Sequence, residues 1–408
     1  MARHVKEGLW EVSPYNFDPG IRGQMELPAK VTIMDVTLRE GRQVEGVSLG
    51  LDDVVEVARR LAEAGVPLIE MHHDEPEEMR EVKKLGTGVK IMALVHPLAA
   101  VSVEKAMEAV DRVRSAGADI VCFAFALSNH HFATYKLAGL DISREKALEL
   151  GCKAVEAAKK TGITVSCNLL DIARVDLAWL KTQAKSLADA GTDIIRVDDI
   201  CAPCMPTVVK HLVREVKKVI PNTPIDIHTH NDYGLATALQ LGALEGGAEI
   251  LEGSVNGLGE RSGIPNLAEL VTIVELFYGF ETGIPLDKLR SLSEFVADVF
   301  NQPLPPSLPI VGKRAFAHAI EGHHFFSDDQ LWHTSITPKL VGHREYVPFC
   351  HYSGPWAVRH KCVELGLGDI PVDVARQVAE KVRRELRLRR TGLSDEVFKE
   401  ILRSVPRR

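Results

Sequence analysis

Eight short apolar runs, each followed by a longer stretch with helical spacing, recur between residues 31 and 286, and few architectures accommodate that rhythm. The runs cover 31–36, 67–71, 89–95, 120–127, 163–170, 194–197, 225–228 and 250–255. Between them lie amphipathic segments such as 52–64, 103–116, 144–161, 177–190 and 205–220. Several of these segments end on a glycine, as at Gly65, Gly117, Gly162, Gly191 and Gly247, where a helix needs a residue free to take the left-handed cap before the chain enters the next strand. Strands that alternate with helices form a parallel sheet, and eight such units are the number at which the sheet closes on itself. An open doubly wound sheet is the alternative, but the Gly-x-Gly-x-x-Gly turn it carries after its first strand is missing.

The expected fold class is therefore α/β, a (β/α)8 TIM barrel over 31–286, preceded by an N-terminal arm over 1–30. After residue 286 the rhythm stops, and the proline-rich stretch 301–310 cannot be regular helix. A smaller, mostly helical C-terminal subdomain is assigned to 287–408, with helices at 372–390 and 393–403. Its arginine-rich string 383–390 reads as a solvated helix face, because a formal net charge of -7 argues against polyanions as partners. Neither nucleic acid nor membrane is expected: no apolar run approaches the ~20 residues a membrane helix requires, and charges interrupt the first 30 residues where a signal peptide would be apolar. Seven cysteines spread through a long chain read as reduced thiols, consistent with a cytoplasmic location.

In a barrel of this kind chemistry gathers where strands end. The first strand runs into Asp35-Val-Thr-Leu-Arg39-Glu40-Gly41-Arg42-Gln43, and the seventh into His228-Thr-His230-Asn231-Asp232-Tyr-Gly234. Because side chains alternate along a strand, His228 and His230 project to one face, and one carboxylate from another strand completes a three-ligand metal site with open positions. Glu40 is placed to supply it. The eighth strand opens into Ser254-Val-Asn256-Gly257-Leu-Gly259-Glu260-Arg261-Ser-Gly263, a glycine-rich loop that can turn backbone amides toward an anion or simply close the barrel, and from which Asn256 can face the metal. Cys201-Ala-Pro-Cys204 has the spacing of a redox or metal motif but stands alone, without the thioredoxin order around it.

Three separated motifs, Asp-x-Thr-Leu-Arg-Glu-Gly-x-Gln at 35–43, His-x-His-Asn-Asp-x-Gly at 228–234 and Asn-Gly-x-Gly-Glu-Arg-x-Gly at 256–263, together resemble the DRE-TIM metallolyase superfamily. Its members include isopropylmalate, citramalate and homocitrate synthases and hydroxymethylglutaryl-CoA lyase. The resemblance implies Glu40, His228 and His230 as ligands of a divalent metal (Mg, Mn or Zn), Asn256 on a fourth side, and Arg39 beside the developing alkoxide. Beyond the barrel, Phe316-Ala-His318, His323, Pro338-x-Leu-Val-Gly342 and His351-Tyr-Ser-Gly354 are similar to the subdomain that the synthases carry and the short lyases lack.

That similarity implies a Claisen condensation of an acyl-CoA, with acetyl-CoA as co-substrate, and a 2-oxo acid. A homodimer is implied, its C-terminal region reaching the neighbouring active site, with His323 as the catalytic base and His324 as an adjacent competitor. A retro-Claisen or aldol lyase is the alternative, and a catalytically silent scaffold barrel is disfavoured by the intact motifs. A biotin-dependent carboxyltransferase is disfavoured because Asp198 stands where that relative has its lysine. Substrate contacts are expected from Gln43, from Asp171 and Arg174 after the fifth strand, and from Gly257 and Gly259. The chain departs from the synthase pattern at Leu170, at Ile200 and along the end of the fourth strand, and offers instead His72 and His96 at the second and third strand ends.

Overall fold

The computed structural model describes residues 4–126, 128–324 and 331–406. All eight expected runs are strands: β1 Thr32–Asp35, β2 Leu68–His72, β3 Lys90–Val95, β4 Ile120–Ala126, β5 Thr164–Leu170, β6 Ile194–Asp199, β7 Ile225–Thr229 and β8 Ile250–Gly253. Leu127, the last residue of the fourth run, lies outside the described residues, as does the side chain of His324. Every strand pairs in parallel with its chain neighbours, and β8 closes onto β1 with Ile250 opposite Thr32 and Glu252 opposite Met34, giving a closed eight-stranded barrel.

The five expected helices are present as Leu51–Glu63, Val103–Ser115, Arg144–Lys159, Leu177–Asp189 and Pro206–Val219. Three of them start where a side chain can satisfy an orphan amide: Ser102, Ser143 and Asp176 accept from the N–H groups of Lys105, Lys146 and Trp179. After the second of the five comes Gly117 with φ 90°, and Gly191 follows the fourth with φ 103°, which is why these positions are glycine. A further helix, Asn129–Leu137, follows β4, with Ser128 as its cap.

Both faces of the sheet are covered, so the strands read as continuous apolar runs. Outward-facing Ile69, Met71, Phe123, Val165, Ile195 and Leu251 are buried. Inward-facing Met34, Leu68, Met92, Ile120, Cys122, Ile194 and Ile250 form the apolar plug of the barrel. The same alternation then sets Glu70, Asn168, Arg196, Asp198, Asp226, His228 and Glu252 inside, all buried.

The chain divides into two compact units, Pro14–Pro303 and a smaller one made of Met1–Ser13 with Leu304–Arg408. Helix Leu289–Val299, which follows the last repeat, falls in the barrel unit, and the division itself lies in the proline-rich connector. In the smaller unit, Val5–Lys6 pairs antiparallel with Trp10–Glu11, and Trp10 bridges to Ile336. Helices Pro355–Glu364, Val372–Arg389 and Asp395–Arg403 bury Val358, Cys362, Val378, Val382 and Phe398 between them. Among the described residues no helix is long and apolar enough to cross a membrane.

Candidate metal centre and cleft

At the carboxyl ends of β1 and β7, Glu40, His228 and His230 bring one ligand atom each within 4.8 Å of the others, and all three are buried. The chain turns into a short 3-10 helix, Glu40–Gln43, immediately after Arg39, which carries the carboxylate over the barrel mouth. His228 and His230 lie two residues apart, so their Nε2 atoms reach 3.2 Å from one another.

The surroundings fix the chemical state of each ligand. His228 Nδ1 lies 2.6 Å from Glu252 Oε2, so its N–H donates there and the Nε2 lone pair is left facing His230. Burial holds His228 below the usual imidazole range, and burial together with His228 pushes His230 down to about 3. Both rings are therefore neutral ligands at physiological pH. Burial works to raise Glu40, but Arg39 and the two imidazoles outweigh it and hold the carboxyl low, while Glu40 Oε1 accepts the Glu260 N–H at 3.0 Å. Two neutral nitrogen lone pairs and a carboxylate crowded together in a buried place are stable when a cation shares them, so the residues present fit a divalent metal.

Arg39 is nearly buried. Its Nη1 donates to Glu40 and its Nε to Glu70 Oε2 at 2.5 Å, and Glu70 stays ionised because Arg196 and Arg39 outweigh its burial. The cleft beside these groups has a volume of about 150 Å3. Of the expected substrate-contacting residues, Gln43, His72 and His96 line it together with Arg39, Glu40, His228 and His230. Leu94, Ala124, Leu170 and Ile200 form its apolar wall, and Asn168 and Asp198 its polar floor. Asn168 Nδ2 donates to Asp198 Oδ2 at 3.0 Å, and burial raises the Asp198 carboxyl.

The remaining expected residues have contacts of their own. Asp171 and Arg174 pair with each other, Nε to both carboxylate oxygens at 2.9 Å, with His131 Nδ1 at 3.1 Å from Asp171, and neither is among the residues lining the cleft. Asn256 takes φ 61°, donates its Nδ2 to the Ser293 carbonyl at 2.9 Å, and keeps Oδ1 buried without a partner. Gly259 lets the loop after β8 lie against the metal carboxylate, since a Cβ there would stand 3.3 Å from Glu40 Cγ. A Cβ at Gly257 would meet the Ile264 carbonyl oxygen at 3.1 Å. In the smaller unit His323 has its Nδ1 3.4 Å from that of His318, and its ring 3.7 Å from that of His333.

A second cluster, His72, His73 and Asp74, is already committed internally: His73 Nδ1 bonds the Leu94 carbonyl at 3.0 Å and Asp74 pairs with Arg112 at 2.6 Å. Cys204 does not resemble a redox thiol, because burial pushes it up to about 12. What sequence reasoning passed over are Glu70, Asn168, Arg196, Asp226 and Glu252, and the place of Asp198 in the cleft. Their signal is visible afterwards as polar residues at the inward positions of mostly apolar strands.

With this geometry in view, comparison with known proteins is decisive: the HMGL-like family model matches residues 30–296, the whole barrel. The chain belongs to the HMGL-like family. Within it, this HMGL-like chain is 32% identical over 364 residues to a probable 2-isopropylmalate synthase of Ignicoccus hospitalis, covering 88% of each chain. It is 29% identical over 401 residues to a homocitrate synthase of Methanothermobacter thermautotrophicus, covering 97% of each. Among solved structures, the HMG-CoA lyase of Bacillus subtilis superposes with a TM-score of 0.56 at 22% identity, covering 69% of this chain and 97% of that one, which shows the shared barrel fold. The chain is thus an isopropylmalate/homocitrate synthase-like member of the HMGL-like family.

Proposed function

We propose that the chain condenses an acyl-CoA, acetyl-CoA foremost, with a 2-oxo acid to give a 2-hydroxy di- or tricarboxylic acid and free CoA, using a divalent metal held by Glu40, His228 and His230. The observation that carries this reading is the convergence of those three ligands with the fixed guanidinium of Arg39 in one cleft. The names of the relatives agree with it, being isopropylmalate and homocitrate synthases. When bound, the cation supplies Lewis-acid polarisation of the acceptor carbonyl.

The residues of the chain do the rest. Removal of a proton from the thioester methyl group gives an enolate whose carbon attacks the carbonyl carbon of the 2-oxo acid. Charge then moves to the carbonyl oxygen, and Arg39, held by Glu40 and Glu70, meets it as a preorganised cation. Water then cleaves the thioester, CoA leaves as the thiol, and the condensation is pulled forward. We assign the proton acceptor to His323, brought by the C-terminal region of one protomer of a homodimer to the neighbouring active site; its imidazole is held below its usual range by burial and by His333 and is therefore a free base at neutral pH. Gln43, His72 and His96 are assigned to the acceptor, and Leu170 and Ile200 to the wall against its substituent. Asp171, Arg174, Gly257 and Gly259 are kept as contacts for the rest of the substrates, and Asn256 as a fourth oxygen near the metal.

Release of free thiol from acetyl-CoA, measured against pyruvate, 2-oxoisovalerate, 2-oxoglutarate and oxaloacetate with Mg, Mn and Zn, tests the proposal. At least one acceptor should give metal-dependent thiol release. Absence of release with every acceptor would refute the condensation and leave the reverse carbon–carbon cleavage of a hydroxy acid or its CoA ester as the reading to test.

A further inference from the structure

We propose that Arg196 is a positioning residue for the reaction centre, a single buried guanidinium that aims Arg39 through Glu70 and His228 through Glu252. The inference rests on the metal-site reading above. Arg196 lies on β6 with no exposed surface, deep to the ligands. Its Nη1 donates to Glu70 Oε1 at 2.5 Å, its Nε donates to Asp226 Oδ2 at 2.8 Å and stands 2.7 Å from Glu252 Oε1, and its Nη2 lies 3.1 Å from the Met92 sulfur.

Two of these carboxylates stand between Arg196 and the reaction centre. Glu70 has Oε1 on Arg196 and Oε2 on Arg39. Glu252 has Oε1 2.7 Å from Arg196 Nε, an ion contact and not a hydrogen bond because the one Nε hydrogen goes to Asp226, and Oε2 on His228 Nδ1. A carboxylate held at only one oxygen can swing about its Cγ–Cδ bond, whereas one held at both is fixed in plane. Arg196 supplies the second contact in both cases, a hydrogen bond to Glu70 and a charge contact to Glu252. It therefore sets the direction from which Glu70 grips the guanidinium of Arg39 and the direction from which Glu252 fixes the tautomer of His228, whose Nε2 must face the metal. The third partner, Asp226, is the residue opposite Arg196 in the β6–β7 register, and it steadies the guanidinium from the next strand.

Stability does not explain this arrangement. Taking a guanidinium and several carboxylates out of water is costly, and apolar replacements of such networks are often neutral or stabilising. The apolar plug around Met34, Met92 and Cys122 shows that the same layer can be filled with ordinary hydrophobic side chains. What the charged partners do that hydrophobic ones cannot is reach one level up, to Arg39 and His228.

The test uses the full chain with Arg196→Lys, which keeps the charge and loses the planar fork, and Glu252→Gln, which keeps an acceptor for His228 and gives up the charge pairing with Arg196. Binding of Mn(II) alone to metal-free protein is titrated, kcat and KM are measured separately with the best acceptor, and circular dichroism fixes the folded fraction. Arg196→Lys should weaken Mn(II) binding by roughly 10-fold to 100-fold per folded molecule, the range for losing a group that orients a ligand. It should also lower kcat with little change in KM, because Arg39 acts on charge that appears only during reaction. Adding Arg196→Lys to Glu252→Gln should weaken Mn(II) binding less than it does in the parent, since both changes break one link.

A folded Arg196→Lys protein with parental Mn(II) affinity and kcat overturns the proposal, as does full additivity of the two substitutions in Mn(II) affinity. If Arg196→Lys does not fold, Asp226→Asn decides: it loosens the third anchor, and several-fold weaker Mn(II) binding supports the proposal whereas unchanged binding overturns it. The metal titration needs no substrate. Should the parent release no thiol with any acceptor, the functional reading fails while the positioning role is still decided by Mn(II).

Discussion

Gly263→Ala is the sharpest probe of how the loop after β8 is held against the metal carboxylate. Gly263 has φ 88°, and a Cβ built on it would stand 2.0 Å from the carbonyl oxygen of Gly257. That oxygen accepts the Ile264 N–H at 3.1 Å, while the Gly263 carbonyl accepts the Asn231 N–H at 2.9 Å, next to His230. The left-handed backbone costs an alanine about 1–2 kcal/mol. The two backbone segments must also part by about 1 Å, which forfeits at least one hydrogen bond with a net worth of about 1 kcal/mol. The expected loss is therefore about 2–3 kcal/mol in urea unfolding followed by circular dichroism. Gly86 provides the control, because it has φ 65° and nothing within 4 Å of its missing Cβ, so Gly86→Ala carries only the backbone penalty. The displaced loop also carries the Glu260 N–H that bonds Glu40, so Gly263→Ala should weaken Mn(II) binding several-fold while Gly86→Ala leaves it unchanged. If Gly263→Ala costs no more than Gly86→Ala and binds Mn(II) like the parent, the carbonyl clash does not govern the loop and the reasoning is refuted.

Other outcomes follow from the same contacts. Arg39→Ala should lower kcat by about 10²–10³-fold with metal content intact, because it deletes charge stabilisation and leaves the three ligands in place; full activity would contradict its role. His228→Ala should lose stoichiometric metal on dialysis, and unchanged elemental analysis would argue that the cation sits elsewhere. Asp171 is held low by Arg174, Ser128 and His131 against the opposing effect of its burial, and its φ of 65° is one that asparagine tolerates. Since the folded carboxyl lies below the unfolded value of about 3.9, its stabilisation is complete above that pH and is lost as pH falls through the folded value. Asp171→Asn should therefore be less stable than the parent near neutrality, and the gap should close as the pH is lowered below about 4; a gap that widens instead would reverse the sign of the interaction.

How much of this was legible before the structure differs between the barrel and its interior. The strands announced themselves because β-branched runs broken by helical periods of standard length leave one economical arrangement, and their boundaries fell within a residue or two of those observed. Glu40, His228 and His230 were legible because they stand at or just beyond the ends of those runs, where an interrupted apolar pattern needs a reason. Asp171 and Arg174 follow a strand end equally well, yet they answer to each other and to His131, so position in the pattern places a residue at the mouth without saying which way it turns. Asn256 makes the same point: the loop was found, but its left-handed backbone and its bond to Ser293 come from packing against helix Leu289–Val299, 37 residues away in sequence.

Arg196 and its acids were hidden for the opposite reason. Each is one polar residue inside an apolar run, as in Leu68-Ile-Glu70-Met or Ile194-Ile-Arg196-Val, and in isolation such a residue reads as a tolerated exception. Only closure of the sheet shows that residues 126 positions apart, such as Glu70 and Arg196, face one point on the axis. A charge within a strand that is buried on both faces is costly unless another charge or a polar group meets it. Four such residues on β2, β6, β7 and β8 therefore constitute a network before any contact is measured, and the direction in which that network leads, upward to Arg39 and His228, is what gives it a function.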